Sequence, residues 1–141
     1  MKIFTRASAG TDLLRLVLCA ILFTHGAYRF YEGSSPILGQ ILEEQGFPHG
    51  SGTWLAYAVN LTETVGTVLL ALRLLTLPVC AALTVIYTTG IILFHRHNGF
   101  FVVGPGTGGW EYSVLLITCL LVTAWEELKT RRGLSDQVQM R

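Results

Sequence analysis

A chain of 141 residues that is 51% hydrophobic and 13% charged has room for one domain, and its charged fraction is well under the quarter or so usual in soluble proteins. With a mean hydropathy of +0.51 and a formal net charge of +1, it belongs to the membrane class and offers no basis for nucleic-acid binding. Three cysteines, Cys19, Cys80 and Cys119, stand singly in separate apolar segments with no CxxC spacing; they read as small packing residues and exclude a dithiol centre.

A helix crossing about 30 Å of hydrocarbon needs about 20 mostly apolar residues. Four segments answer to this, at 12–31, 53–74, 77–94 and 110–126. Lys2 and Arg6 ahead of the first segment resemble the start of a secretory signal. Arg15 inside the apolar stretch is foreign to a signal core, and cleavage near Gly26 would remove one wall of a four-helix unit, so the first segment is expected to be retained.

Between the first two segments, EGSSPILGQILEEQGFPHGSG carries its own start and stop signals. Ser35 is the expected N-cap with Pro36 at the first helical position, and Gly46 followed by Pro48 ends the element. A helix over 36–45 puts Ile37, Leu38, Ile41 and Leu42 on one side and Gln40, Glu43 and Glu44 on the other. It is too short to span and is expected to lie flat as an interfacial helix or lid. A tight turn at 73–76, with Pro78 just inside the next helix, makes the second and third spans antiparallel. The stretch FHRHNGFFVVGPGTGGWEY links the third span to the fourth, and residues 127–141 form a tail. The fold class is thus an all-α integral membrane protein, an antiparallel bundle of four transmembrane helices with a short interfacial helix between helices 1 and 2, in a single domain over 1–141.

Lys2, Arg6, Arg73, Lys129, Arg131, Arg132 and Arg141 flank one set of helix ends, and Arg29 and Arg96 the other. The positive-inside rule places both termini and the Arg73 turn in the cytoplasm and the glycine-rich connection outside, on the periplasmic side of a bacterial inner membrane.

Polar side chains within the spans are the informative ones, because lipid tolerates them only when they face protein or a cavity. His25 and Arg29 lie at i, i+4 on the first helix. Asn60, Glu63, Thr64 and Thr67 make a polar stripe on the second, and Thr84, Tyr87, Thr88 and His95 one on the third. Helix direction brings His25, Arg29, Glu63, His95, His97 and Glu111 to one outer-half cavity, with Asn60 and Tyr87 on the stripes that face it. Each has a plainer role to set beside a ligand role. Glu63 is a natural ion-pair partner for Arg15 or Arg29, Glu111 suits the positive end of a helix dipole, His25 can bond a neighbouring helix, and Arg29 can snorkel.

On a helix His95 and His97 point about 160° apart, and Arg96 between them repels a cation, so no metal site is expected. GPGTGG has neither a strand before it nor a Gly-Lys-Ser/Thr after it, which argues against a phosphate loop. Its glycines instead let the backbone fold over the cavity mouth, with Asn98-Gly99 as a turn and Phe100, Phe101 and Val102 dipping into the interface or closing the pocket. No haem or flavin site is visible.

With these residues placed, the chain resembles the DoxX family of small four-helix membrane proteins, within a wider DoxX/DoxD-like group. The resemblance runs over 11–136 and is carried by LLRLVLCAILFTHGAYRF, the GFP turn at 46–48, Glu63 in NLTETVGTVLLAL, HNGFF, EYSVLLI and GLSD. The chain departs where the family tends to show a glycine and then a Thr-Arg pair after the second span: here LRLLTLP puts Arg73 earlier and Leu77 in the arginine's place. Arg29 stands where a lysine is common. The resemblance implies membrane subunits of the thiosulfate:quinone oxidoreductase kind, or a link between a superoxide dismutase and a sulfurtransferase in a membrane-bound complex; other members of the group look like assembly factors or cargo receptors.

Three readings follow. In the first, the chain is the membrane subunit or anchor of a redox complex, with a quinone headgroup or a small sulfur-containing anion held by His25, Arg29 and His95 while Glu63 and Glu111 exchange protons. The chain shows no cofactor site, so a soluble or membrane redox partner protein must bring the electron-carrying group. In the second, it is a non-enzymatic scaffold or assembly factor whose polar interior only specifies packing. In the third, it is a small-molecule permease, for which four short helices need a homo-oligomer to form a pathway.

Overall fold

A computed structural model of the chain describes residues 9–104 and 106–139, giving the backbone alone for 134–139. All regular structure among the described residues is helical. Helix α1 spans Ala9–Tyr31 and α2 Ser35–Glu44. Helix α3, Gly52–Leu61, runs through a π turn at Thr62–Gly66 into α4, Thr67–Ala71. Helix α5, Thr76–Gly90, runs through a second π turn at Ile91–His95 into a single 3-10 turn at Arg96–Asn98. Helix α6, Glu111–Gln139, closes the described chain. It continues well past residue 126 because nothing in EELKTRRGLSDQVQ forces a stop, a lone interior glycine being tolerated.

The ends of the elements follow local chemistry. At the close of α2, Gly46 takes φ +102°. Its N–H donates to Glu43 O at 3.0 Å, and the N–H of Phe47 donates to Leu42 O at 3.2 Å, the paired bonds of a Schellman stop. At the close of α4 the same bonds form from Arg73 to Leu70 O and from Leu74 to Leu69 O, but the left-handed residue is Arg73, at φ +59°, where glycine would sit without strain. Ser35 corrects the sequence reading: Ser34 occupies the cap position without a side-chain cap bond. The Ser35 hydroxyl lies inside the first turn and accepts a hydrogen bond from Asn60 Nδ2 at 2.7 Å.

The packed apolar core is small and lies toward the Arg73 end: Leu18 and Leu22 of α1, Leu70 of α4, Leu83 of α5, and Leu116 and Leu120 of α6. Many large apolar side chains face outward, among them Leu13, Phe23, Leu61, Val85, Leu115 and Leu121. Helix runs that are apolar both inward and outward are built for lipid. Among the described residues two are long and apolar enough to cross a membrane, Ala9–Tyr31 and Thr76–Asn98, with mean hydropathies of 1.4 and 2.0.

At the Arg73 end, Arg15 is 7% exposed and donates to the carbonyls of Leu70, at 2.9 Å, and Ala71, the last turn of α4. Both carbonyls lie at the helix end, beyond its regular ladder of bonds, and Leu70 O also accepts the N–H of Arg73. Asp12 Oδ1 accepts from Arg15 and Arg73 together, so Arg15 is engaged here and is not the partner of Glu63.

Helix α1 crosses the first π turn at Gly26, whose missing Cβ would stand 2.8 Å from Thr64 and 2.9 Å from Glu63. Helix α3 packs on α2 and α1, whereas α5 packs on α4, the first π turn and α6. The two runs joined by the 72–75 turn therefore touch near that turn and part toward the other end. The wedge between them holds the site.

Candidate functional site

The wedge encloses a cavity of about 480 Å³, floored by α1 and the first π turn and covered by α2 and the glycine-rich loop. Its walls are mainly apolar, including Leu38, Leu42, Leu55, Val59, Val85 and Phe94. Val85 on α5 is 64% exposed and Leu55 on α3 is 36% exposed. Residues at once lining and exposed, on the two helices that part, mark a lateral mouth.

The closed end is polar. Glu63 is 2% exposed. Its Oε2 accepts from Arg29 Nη1 at 2.7 Å and its Oε1 from the Tyr87 hydroxyl at 2.9 Å. Arg29 Nη1 also donates to Asn60 Oδ1 at 2.9 Å, and Asn60 in turn donates to Ser35. A single chain of bonds thus ties α2, α3, α1, the first π turn and α5. The threonines of the expected stripe are turned to other ends: Thr64 Oγ1 donates to Asn60 O at 2.8 Å and Thr67 Oγ1 to Glu63 O at 2.6 Å, satisfying their own helix.

Charge balance decides what this end can hold. The Arg29 and Glu63 charges cancel at contact distance, so the site carries no net charge for a free anion. Arg29 Nε and Nη2 nevertheless have no partner among the described residues, and Arg29 lines the cavity. They offer N–H donors to a neutral acceptor such as a carbonyl.

Of the residues predicted to converge, His25, Arg29, Glu63, Tyr87 and His95 line the cavity, and Asn60 adjoins it through Arg29. His25 stands exposed at the rim with its ring 6.3 Å from that of Tyr112. His95 Nδ1 lies 2.8 Å from Gly108 O. His97 and Glu111 do not reach the cavity. The helix tightens to a 3-10 turn at 96–98, where His97 Nε2 accepts from Arg96 Nε at 2.9 Å. Glu111 Oε1 accepts the N–H of Val102 at 3.1 Å and so ties the loop to the start of α6. Of the three loop residues expected at the cavity mouth, Phe100 packs edge-on against Trp110 at 4.8 Å, and Val102 is the one that lines the cavity. Sequence reasoning missed Ser35 as a member of the polar chain, and most of the apolar wall. Only the Leu38/Leu42 stripe of α2 and Val102 of the loop signalled that wall in advance.

Outside the long apolar runs, Glu43 Oε1 accepts the N–H groups of Gly52 at 3.0 Å and Gly50 at 2.9 Å. The Gly52 bond first, then that from Gly50 and the neighbouring His49, holds the Glu43 carboxyl below its ordinary value.

Helices dressed in outward apolar residues around a polar-ended cavity define a small helical membrane protein. The DoxX family model matches residues 10–97, more than half of the chain, and the chain belongs to the DoxX family. That match takes in Arg29, Asn60, Glu63, Tyr87 and His95; EYSVLLI and GLSD lie beyond it. Neither the curated proteins nor the solved structures contain a match to the chain.

Proposed function

We propose that this DoxX protein is the membrane subunit of a redox complex and that its cavity binds the headgroup of a quinone. In this reading all four helical runs, α1, α3 with α4, α5, and α6, cross a bacterial inner membrane as an antiparallel bundle, with both termini cytoplasmic and α2 lying at the outer interface. The observation that carries the reading is the lateral, apolar-walled wedge between α3 and α5 ending on Arg29, Glu63 and Tyr87. A ligand that partitions into lipid can enter such a mouth sideways, and its carbonyl finds N–H donors at the closed end. The cancelled Arg29–Glu63 charges favour a quinone carbonyl over a sulfur oxyanion, which would need an uncompensated cation. Glu63 and Tyr87, hydrogen-bonded to each other, are the proton-carrying groups nearest that donor edge. Electrons would come from a partner protein.

The test is equilibrium binding of ubiquinone and menaquinone to protein in nanodiscs, beside folded His25→Ala and Glu63→Gln variants. Saturable binding that both variants lose supports the site. A second reading, a scaffold without redox chemistry, is favoured by the closed bond chain from Ser35 to Tyr87, which satisfies both Glu63 oxygens from within the protein. Absence of quinone binding in native protein, with loss of thermal stability in both variants, would select it.

A further inference from the structure

We infer that His95 is a specificity-determining residue that makes the cavity prefer a hydroquinone to the corresponding quinone, an inference that rests on the quinone reading above. Gly108 sets the tautomer. Its carbonyl oxygen can only accept, and it faces both His95 Nδ1, at 2.8 Å, and Asn98 Nδ2, at 3.3 Å. The proton of the neutral ring is therefore on Nδ1, and Nε2 carries a lone pair. The position of this carbonyl belongs to the loop backbone: Gly108 has φ +70°, and its N–H donates to Val102 O at 3.2 Å.

Nε2 has no partner among the described residues, and the residue lines the cavity. It sits in the second π turn, as Glu63 sits in the first, an irregularity that recurs at functional sites. The cavity thus presents two complementary features, an acceptor at His95 and the free donor edge of Arg29.

A quinone has two carbonyls and can only accept. One suits Arg29, but the other would set a lone pair against the lone pair of Nε2. A hydroquinone hydroxyl both donates and accepts, so one can accept from Arg29 while the other donates to His95. The remaining ionisable groups lining the cavity do not reverse this. Glu63 is occupied by Arg29 and Tyr87, and His25 and Tyr112 stand together at the rim.

The experiment titrates native protein in nanodiscs with a short-tailed ubiquinone, its hydroquinone under anaerobic reducing conditions, and the hydroquinone dimethyl ether, which keeps the ring and both oxygens, adds two methyl groups and lacks the donors. One net hydrogen bond is worth about fivefold in affinity. The hydroquinone is expected to bind about fivefold more tightly than the quinone, and the ether no better than the quinone. In His95→Phe the ratio of hydroquinone to quinone affinity should fall to about one, whatever the absolute affinity of that variant. Equal binding of both redox forms by native protein, an ether that binds as well as the hydroquinone, or a preference that survives in His95→Phe would overturn the role of His95 and leave the quinone cavity standing. No saturable binding of any of the three would overturn both. The quinone and ether comparisons need only native protein, and equal binding in either overturns the preference even if His95→Phe does not fold.

Discussion

Arg29 bonds to two side chains of the second helical run through one nitrogen, and this makes it the residue on which the closed end of the cavity depends. Replacing it with Met leaves Glu63 buried without a cation, and breaking a buried pair from one side is expensive. Arg29→Met is expected to lower unfolding free energy by about 3 kcal/mol, measured by denaturant or thermal unfolding in detergent. Adding Glu63→Leu should restore most of that loss, because the double replacement removes both charges. Tyr87→Phe removes one hydrogen bond to a carboxylate and should cost about 1.5 kcal/mol. If the double variant is stable yet no longer binds quinone, the pair serves the ligand as well as the fold. That Glu63 needs a cation was legible in the sequence, since a lone carboxylate does not survive in hydrocarbon. The choice of Arg29 over Arg15 was not, because both arginines lie on the same helix and only packing at the Arg73 end engages Arg15 with Asp12 and the α4 carbonyls.

Between elements, the backbones of α2 and α3 approach closely. A Cβ on Gly39 would lie 2.7 Å from Thr53 N, and one on Gly52 would run into the Gly39 carbonyl. Backbone cannot yield as a flexible side chain can, so Gly39→Ala and Gly52→Ala should each destabilise by about 3 kcal/mol and loosen the cover of the cavity, read as a lower melting temperature and weaker ligand binding. The same junction carries a pH dependence. The Glu43 carboxyl is held below its ordinary value of 4.5. Its bonds to Gly50 and Gly52 therefore stabilise the folded form above that ordinary value and are lost as pH falls through the lower, folded one. The protection factors of the Gly50 and Gly52 amides, which correct for slower intrinsic exchange in acid, should fall over that acid window in native protein, and in Glu43→Gln they should lose this dependence. The existence of α2 and its two-sided pattern could be read from ILGQILEE. Its seat on α3 could not, because two glycines thirteen positions apart reveal a crossing only once the chain has turned back on itself.

For the molecule as a whole, the proposed four-span topology can be examined directly. His49, its side chain 98% exposed, lies after α2, and Lys129, 61% exposed, lies far along α6 beside Trp125. With the three native cysteines replaced, His49→Cys in intact bacterial spheroplasts should react with a membrane-impermeant maleimide. Lys129→Cys should react only after permeabilisation. The opposite pattern would invert the orientation drawn from the positive charges.

Composition and periodicity by themselves determined that the chain is helical, apolar and suited to a membrane, because burial of backbone polar groups in lipid permits few alternatives to a helix and every long apolar run obeys that constraint locally. They also identified the polar residues that such a bundle must shelter. Which of those residues share a space was decided by tertiary structure alone. The divergence of α3 from α5 opens the wedge that Arg29, Glu63, Tyr87 and His95 line, while the 3-10 turn at 96–98 takes His97 away from it and Glu111 is engaged by the N–H of Val102. Helix direction can place a side chain at a depth, but convergence depends on where two helices cease to touch, and that is a property of packing between residues far apart in the chain.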